Sequence, residues 1–194
     1  MGIPTLVLID LQKDFYAPTG SYARAGRPLA PIRRMIARLI PFCQNYPHIV
    51  RIRSLYRKNQ FQDMPELCIP GKQGTLWHPQ LRMGKLLTKT QHSGFSCLEA
   101  SLPSTTPLVL AGVCTHRCIR KTLEDALVRD WNARVLEEGI ASCGKRWQRH
   151  RQWLKRWENH NRSVAMETLL RKSSNHIQYR EARRQCFRRQ AGSA

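Results

Sequence analysis

The sequence predicts an α/β domain with a mostly parallel sheet flanked by helices. Short apolar runs, such as those at 5–9 and 108–111, are typical of parallel strands that are covered on both faces. Stretches with apolar residues at helical spacing lie between such runs, and this alternation is the signature of βαβ units with right-handed crossovers. The chain has 194 residues, enough for one three-layer domain and a tail.

The first part of the chain supplies a strand, a crossover helix and a second strand. Residues 5–9 (TLVLI) form the first strand, which Asp10 closes. Residues 28–43 repeat apolar side chains at helical spacing, and 48–56 form the second strand. A long segment at 57–82, rich in Gly, Pro and polar residues, follows. Loops of this kind at a strand's carboxyl end often cover a pocket.

Further elements continue the alternation. KLLTKT predicts a short third strand ending at Lys89, followed by a helical stretch at 96–102. Residues 132–138 predict another strand, with a turn at 139–144. The segment 145–160 has helical spacing of apolar residues, and VAMETLL after it can still join the core. The apolar side of that helix carries Trp147, His150, Trp153, Leu154 and Trp157.

The stretch 108–127 runs from a buried strand into an amphipathic helix. Gly112 ends the strand, Thr115 is the predicted N-cap and Cys118 lies where the helix begins. Unpaired N–H groups in a first helical turn favour a thiolate and can hold an oxyanion. On this segment alone, a nucleophile and a packing residue are both open interpretations of Cys118.

The net charge of +20 is concentrated toward the end of the chain. Residues 143–194 carry 14 Lys or Arg against three Glu, a net +11, which leaves +9 for the longer part before them. Such a charge attracts nucleic acid and other anions in a generic, salt-sensitive way. Basic residues interleaved with tryptophan at 145–160 are compatible with nucleic-acid stacking, and also with a final helix that packs its aromatic side on the sheet.

We divide the chain into a domain at 1–171 and a basic tail at 172–194, which has few apolar residues. Truncation after Lys172 is therefore expected to leave the melting temperature nearly unchanged, because the tail has little apolar surface to bury. Thermal unfolding of the full and truncated chains checks this. A large drop on truncation would show instead that the tail docks on the domain or on a second subunit.

Cysteine use and the N-terminal sequence predict a cytoplasmic protein. The seven cysteines have irregular spacing and form no CxxC pair, which favours reduced thiols over a disulfide framework or zinc site. The apolar run near the N-terminus is only about seven residues long and Asp10 interrupts it, so we expect neither a signal peptide nor a membrane span.

Three candidate catalytic groups lie at the carboxyl edge of the predicted sheet, where open parallel sheets bind ligands. Asp10 follows the first strand, Lys89 the third, and Cys118 begins the helix after the next. This arrangement resembles the isochorismatase-like cysteine hydrolases, which have a Rossmann-like three-layer fold. The resemblance covers the chain to about Lys172, and its motifs are LVLIDLQKDF, CIPGKQG, KTQHSGF and GVCTHRCI, in family order and spacing.

The resemblance implies a role for each group. Cys118 would attack a small amide or related compound and form a covalent adduct, Asp10 would take the thiol proton, and Lys89 would hold both by charge. It also implies a cis bond between Val113 and Cys114, with the N–H groups of Cys114 and Cys118 forming the oxyanion hole.

The resemblance further implies that Phe15, Phe95 and His116 line the substrate pocket and that family members are often homo-oligomers. Nicotinamidase-like members carry an Asp-x-His and a further His after the second strand to bind a metal. Here that region reads SLYRKNQFQD. We therefore expect no metal and no cofactor, and the departure disfavours a nicotinamidase.

Two functions remain open. The first is a cysteine hydrolase of unspecified substrate, with Cys118 as an exposed thiolate of raised reactivity and Cys43, Cys97 and Cys114 shielded. Cys186 in the tail is expected to be exposed with a more ordinary pKa. The alternative is a non-catalytic basic protein that keeps the hydrolase scaffold and binds nucleic acid, non-specifically, or another anionic partner.

Overall fold

The computed structural model describes residues 3–143 and 147–169. Six strands form one parallel sheet in the order β3-β2-β1-β4-β5-β6, which confirms the predicted α/β class. The strands are β1 (Thr5–Ile9), β2 (Ile49–Ser54), β3 (Lys85–Lys89), β4 (Leu108–Val113), β5 (Ala133–Ala141) and β6 (Ser163–Val164).

Helices cover both faces of this sheet. They are α1 (Lys13–Tyr16), α2 (Ser21–Arg24), α3 (Ala30–Gln44), α4 (Phe95–Glu99), α5 (Arg120–Val128) and α6 (Trp147–Asn159), with a π-helical turn at Thr115–Ile119 that leads into α5. Alternate side chains of β1 enter opposite cores, as the period of two in a strand requires. Leu6 and Leu8 pack with α3, while Val7 and Ile9 pack with α4 and α5.

The aromatic side of α6 packs on the domain, as one of the two interpretations predicted. Trp157 is buried in the same core as α5, and Trp153 and Leu154 pack against that core while remaining partly exposed. His150 is buried and bonds the Thr115 hydroxyl through Nδ1 at 2.8 Å. The side chain of Trp147 and the whole predicted tail lie outside the part of the structure whose side chains are described.

Two boundaries predicted from the sequence are wrong. The turn predicted at 139–144 is strand as far as Ala141, because β5 shifts its register against β4 and then pairs again at Ile140 and Ala141. Thr115 does not cap the helix: Cys114 holds the N-cap position, and the Thr115 hydroxyl is bonded to α6 instead. VAMETLL does join the core, through buried Val164 in β6 and buried Leu169.

Gly112 permits the close approach of β1 and β4 beside the site. Its φ is +123°, a conformation that side chains with a Cβ rarely adopt. A Cβ built there would lie 2.0 Å from the carbonyl oxygen of Ile9, so backbone would block it. No other residue type fits this position without moving the end of β1, which carries Asp10.

The long segment 57–82 is anchored to the start of α1 by backbone hydrogen bonds. Lys13 N–H donates to the carbonyl of Leu76 at 2.8 Å, and His78 N–H donates to that of Leu11 at 2.9 Å. Asp14 is buried and accepts from the backbone N–H of Cys68. Within the described ranges, no helix is long and apolar enough to cross a bilayer.

Candidate active site

The structure brings Asp10, Lys89 and Cys118 together at the carboxyl edge of the sheet. The Lys89 ammonium lies 3.0 Å from Asp10 Oδ2 and 3.4 Å from the Cys118 sulfur. All three residues are buried, at 0%, 4% and 4% exposure respectively. A buried ion pair beside a thiol is costly to assemble and is commonly found where chemistry requires it.

Asp10 is held in an unusual backbone conformation. Its φ is +60°, in the left-handed region, which costs a non-glycine residue on the order of 1–3 kcal/mol at functional sites. Its N–H still donates to the carbonyl of Ile52 at 2.9 Å, so the sheet ladder continues to the last residue before the turn. The turn directs the carboxylate toward Lys89 rather than along the strand.

Ser54 and Tyr56, which the sequence reasoning did not single out, complete the polar network. The Ser54 hydroxyl donates to Asp10 Oδ1 at 2.7 Å and accepts from the Lys89 ammonium at 2.7 Å. The Tyr56 hydroxyl accepts from the same ammonium at 3.1 Å and lies 3.9 Å from the Cys118 sulfur. Ser54 is the last residue of β2 and Tyr56 follows two residues later, so both hydroxyls face the cluster of Asp10, Lys89 and Cys118.

Gln12 fixes the ends of β1 and β2 relative to each other. Its carboxamide oxygen accepts from the Ser54 N–H at 2.7 Å, and its nitrogen donates to the Ser54 carbonyl at 3.0 Å. The same nitrogen donates to the carbonyl of Thr75 at 3.1 Å. One buried side chain therefore ties Ser54, and through it Asp10, to the covering segment.

Lys89 is the charged centre of this network. Its ammonium also donates to the Gln91 carbonyl at 3.0 Å, so its acceptors outnumber its three N–H groups. Burial alone would lower the pKa of Lys89, but the negative charge of Asp10, joined by that of the Cys118 sulfur once the thiol ionises, outweighs burial and raises it. The cation therefore persists at neutral pH.

Cys118 differs from the exposed thiolate that the sequence predicted. Burial raises the pKa of its thiol to about 11, even though the Lys89 charge lowers it. The sequence prediction is wrong because the side chain is 4% exposed, and desolvation disfavours the charged form. At rest the sulfur is a protonated thiol beside an ion pair.

Alkylation of Cys118 by iodoacetamide is therefore expected to be slow at pH 7 and still rising at pH 10, since only the thiolate reacts. The negative charge of Asp10 raises the pKa of this thiol, so Asp10→Asn shifts the profile toward lower pH. Mass-spectrometric mapping of labelled peptides measures the rate at Cys118, with Cys97 as the internal control. A plateau at Cys118 by pH 8 would contradict the buried-thiol description.

The other predicted shielded cysteines are mostly as expected. Cys43 and Cys114 are buried, whereas Cys97 in α4 is only half-buried and bonds the Gly94 carbonyl at 3.0 Å. Cys186 lies outside the described residues. The half-exposed thiol of Cys97 makes it a suitable reference for surface reactivity.

The peptide bond between Val113 and Cys114 is cis. The Cys114 sulfur lies 3.0 Å from the Tyr22 hydroxyl. Tyr22 in turn packs edge to face on Phe15, with ring centroids 5.0 Å apart. Phe15, a predicted pocket residue, is thus buried in the core that supports the Cys114 side of the site.

Phe95 and His116 have buried partners of their own. The ring of Phe95 packs edge to face on Trp131, with centroids 5.4 Å apart, so core packing accounts for it. His116 is buried at the start of the π-helical turn and its Nδ1 lies 3.1 Å from the Ser142 hydroxyl. The prediction that Phe95 and His116 line a substrate pocket stays a prediction.

A loop residue that the sequence reasoning also missed lies beside Cys118. His92 lies between Lys89 and α4, and its Nδ1 is 3.8 Å from the Cys118 sulfur. Its Nε2 accepts from Arg117 at 3.2 Å, and its ring stacks on Phe61. A histidine in a loop carries no periodic signal, so only the fold places it here.

The described residues do not fit a metal. Among residues 3–143 and 147–169, no group of three or more His, Cys, Asp or Glu gathers in a way that would hold a metal ion. At the end of β2 the hydroxyls of Ser54 and Tyr56 are already bonded to Asp10 and Lys89. Neutral hydroxyls facing an ammonium make a poor ligand set for a divalent cation.

Comparison with known proteins agrees with this architecture. A curated relative, the nicotinamidase/pyrazinamidase of Mycobacterium tuberculosis, is 26% identical over 156 residues, covering 68% of this chain and 82% of the relative. An isochorismatase-like hydrolase from Alkaliphilus metalliredigens superposes with a TM-score of 0.71 at 24% identity, over 86% of this chain and 97% of that structure.

A third similar structure is the pyrazinamidase of Pyrococcus horikoshii, solved in complex with zinc. Its TM-score is 0.63 at 18% identity, and the match covers 84% of this chain and 98% of that structure. Likenesses at these identities establish the shared fold. The family model for the isochorismatase domain matches residues 4–165, which is most of the chain. This protein therefore belongs to the isochorismatase family of hydrolases.

Proposed function

We propose that the protein hydrolyses a small amide or related compound through a covalent intermediate on Cys118. The observation that carries the proposal is the buried cluster in which the Lys89 ammonium lies within 3.4 Å of both the Asp10 carboxylate and the Cys118 sulfur. A thiol next to a carboxylate base and a fixed cation is the arrangement that nucleophilic catalysis by cysteine needs.

The first half-reaction forms the acyl-enzyme. As the Cys118 sulfur attacks the carbonyl carbon, its proton passes to the Asp10 carboxylate, and the carbonyl oxygen takes the negative charge. Collapse of this intermediate breaks the C–N bond, and Asp10 returns the proton to the leaving amine. Lys89 remains cationic throughout and stabilises the Cys118 thiolate whenever it forms transiently.

The second half-reaction releases the acid. Asp10 accepts a proton from water, the hydroxide attacks the thioester carbon, and the Cys118 sulfur leaves. The proton on Asp10 then restores the thiol. Ser54 donates to Asp10 Oδ1 at 2.7 Å, so it orients the other carboxylate oxygen toward Lys89 and the sulfur.

Two backbone groups are assigned to the oxyanion. The resemblance to cysteine hydrolases implies the N–H groups of Cys114 and Cys118, which lie at the two ends of the turn from β4 into α5. Donors fixed by backbone need no reorganisation when charge develops on the carbonyl oxygen. Phe15, Phe95 and His116 remain proposed substrate-pocket residues. His92, with Phe61 stacked on its ring, lies 3.8 Å from the sulfur.

A panel of small amides at neutral pH, with release of ammonia or amine as the readout, tests this function. Cys118→Ala is expected to abolish turnover, while Cys97→Ala, which changes a half-exposed cysteine of α4, leaves it unchanged. Turnover that survives Cys118→Ala overturns the proposal. A salt-dependent nucleic-acid shift without amide turnover favours the basic-protein alternative.

Turnover is also expected to need no metal, because the Asp–Lys–Cys chemistry has no step that uses one. Treatment with a chelator, followed by dialysis, should leave kcat unchanged, and elemental analysis should find less than stoichiometric zinc or iron. Activity that is lost on chelation and restored by a divalent cation would contradict this expectation.

A further inference from the structure

A half-buried histidine, His92, lies beside the proposed nucleophile. His92 Nδ1 lies 3.8 Å from the Cys118 sulfur, and Nε2 lies 3.2 Å from a guanidinium nitrogen of Arg117. A guanidinium has only donors, so Nε2 must accept the hydrogen bond. In a neutral ring the proton then sits on Nδ1, where it points toward the sulfur.

The charge environment keeps this ring neutral. Burial lowers the pKa of His92 to about 4, and the positive charges of Arg117, Lys89 and Lys121 act in the same direction, with only the Asp10 charge opposing them. At neutral pH the ring therefore holds one proton. The contact with Arg117 decides that this proton is on Nδ1.

The surroundings fix both the plane of the ring and its loop. Phe61 stacks on His92 with centroids 5.0 Å apart and planes 19° apart, and Phe61 itself packs edge to face on Tyr56 at 4.8 Å. The loop end is tied to the nucleophile's helix, because Gly94 N–H donates to the Thr122 hydroxyl, which donates to the Cys118 carbonyl.

We propose that His92 is a catalytic residue whose Nδ1–H donates a hydrogen bond to the Cys118 sulfur as the thiolate forms, and that Arg117 is the positioning residue that fixes the required tautomer. This inference rests on the proposed function of Cys118. No proton leaves His92: the thiol proton goes to Asp10, and the imidazole stays neutral. Lys89 and His92 both stabilise the thiolate, Lys89 by its charge and His92 by its hydrogen bond.

Three substitutions of His92 separate hydrogen-bond donation from ring packing. His92→Phe keeps a ring against Phe61 and removes the donor, while His92→Gln places its amide near Nε2. His92→Asn places an amide N–H near the position of Nδ1. We expect His92→Phe and His92→Gln to lower kcat/KM by about 10- to 100-fold, which corresponds to the loss of a hydrogen bond to a charged group. His92→Asn should recover most of that loss.

Two further measurements respond to the donor and not to packing. At pH 9 to 10, where the Cys118 thiolate is a minor species, the rate of iodoacetamide labelling should fall by about 10- to 100-fold in His92→Phe, since losing the donor raises the thiol pKa by about one to two units. Nitrogen-15 NMR of the wild-type ring should show a protonated Nδ1 and an unprotonated Nε2. Arg117→Met should mix the two tautomers with a smaller loss of kcat/KM, whereas Arg117→Lys, which still only donates, should stay near wild type.

The inference is overturned if His92→Phe keeps the wild-type kcat/KM, or if His92→Asn loses as much kcat/KM as His92→Phe. It is also overturned if NMR shows that the Nε2–H tautomer dominates. Cys118→Ala distinguishes this failure from failure of the proposed function. Turnover that survives Cys118→Ala would show that Cys118 is not the nucleophile, so the proposed function would fail. If Cys118→Ala is inactive while His92→Phe is fully active, the proposed function stands and only the role of His92 is ruled out.

Discussion

Replacing Cys118 by alanine is expected to lower kcat by roughly 10⁴-fold or more, the scale seen when a covalent nucleophile is removed. The substitution takes away the sulfur that forms the covalent bond in the proposed mechanism. The measurement is amine release under saturating substrate, with folding checked by circular dichroism. Because the thiol is small, its loss should change the melting temperature little.

Asp10→Asn is the companion variant, since it keeps the shape of the side chain and removes the base. Its loss should be smaller, about 10²- to 10⁴-fold, the usual contribution of general base catalysis. Equal activity of wild type and Asp10→Asn would show that the thiol proton goes elsewhere. Cys97→Ala, with an unchanged site, should match wild type in both assays.

Lys89→Met is expected to cost about 3–5 kcal/mol of folding free energy, because it leaves the buried Asp10 carboxylate without its cation. For a chain of this size that loss lowers the melting temperature by roughly 6–20 °C. Calorimetry or thermal circular dichroism measures it. The same variant should lose turnover, since the thiolate then has no neighbouring ammonium.

The double variant Asp10→Asn, Lys89→Met is the control. It removes both charges together, so no uncompensated ion remains and much of the lost stability should return. A double variant that is no more stable than Lys89→Met would contradict the account of a costly unpaired charge. Both variants should remain inactive, which separates the stability of the pair from its role in turnover.

The pH dependence of this stability has a definite sign. The folded-state pKa of Lys89 is raised, so the stability from its protonated form is fully present below the unfolded value and is lost as pH rises through the folded value. The buried Cys118 thiol acts in the same direction, because the unfolded chain ionises it first. Lys89 therefore contributes its stabilisation through the neutral range, and this contribution is lost in alkali.

Much of the fold was predictable because its signals are local. Residues 6–9 and 108–111 are apolar throughout, as is typical of strands covered on both faces, and both lie in strands of the structure. The rule that parallel strands end at a common binding edge then placed Asp10, Lys89 and Cys118 near one another, and they are.

The missed features depend on distant parts of the chain. Gly139 reads as the end of a strand, yet β5 resumes beyond it because β4 offers a second set of partners at Gly112 and Val113. The burial of Cys118 comes from side chains contributed by several segments, including Tyr56 and His92. The position of Cys118 at a helix start suggested a lowered thiol pKa, but the effect of burial is larger and raises that pKa.

Ser54 and Tyr56 were overlooked for a different reason. Hydroxyl residues at the end of a strand have no periodicity or spacing that distinguishes them from surface residues. Their role follows only from the distances of 2.7 and 3.1 Å between their oxygens and the Lys89 ammonium. The sequence showed that SLYRKNQFQD lacks the metal-ligand pattern of nicotinamidase-like members. It did not show that the hydroxyls of Ser54 and Tyr56 contact Lys89 in this segment instead.

The most direct test of covalent catalysis is mass analysis of the enzyme quenched in acid while it turns over an amide substrate. The account predicts a mass increase equal to the acyl part of that substrate, mapped to the peptide that contains Cys118 and removed by hydroxylamine, as a thioester should be. A turning-over enzyme whose Cys118 peptide stays unmodified, or whose label maps to Cys97 instead, would contradict it.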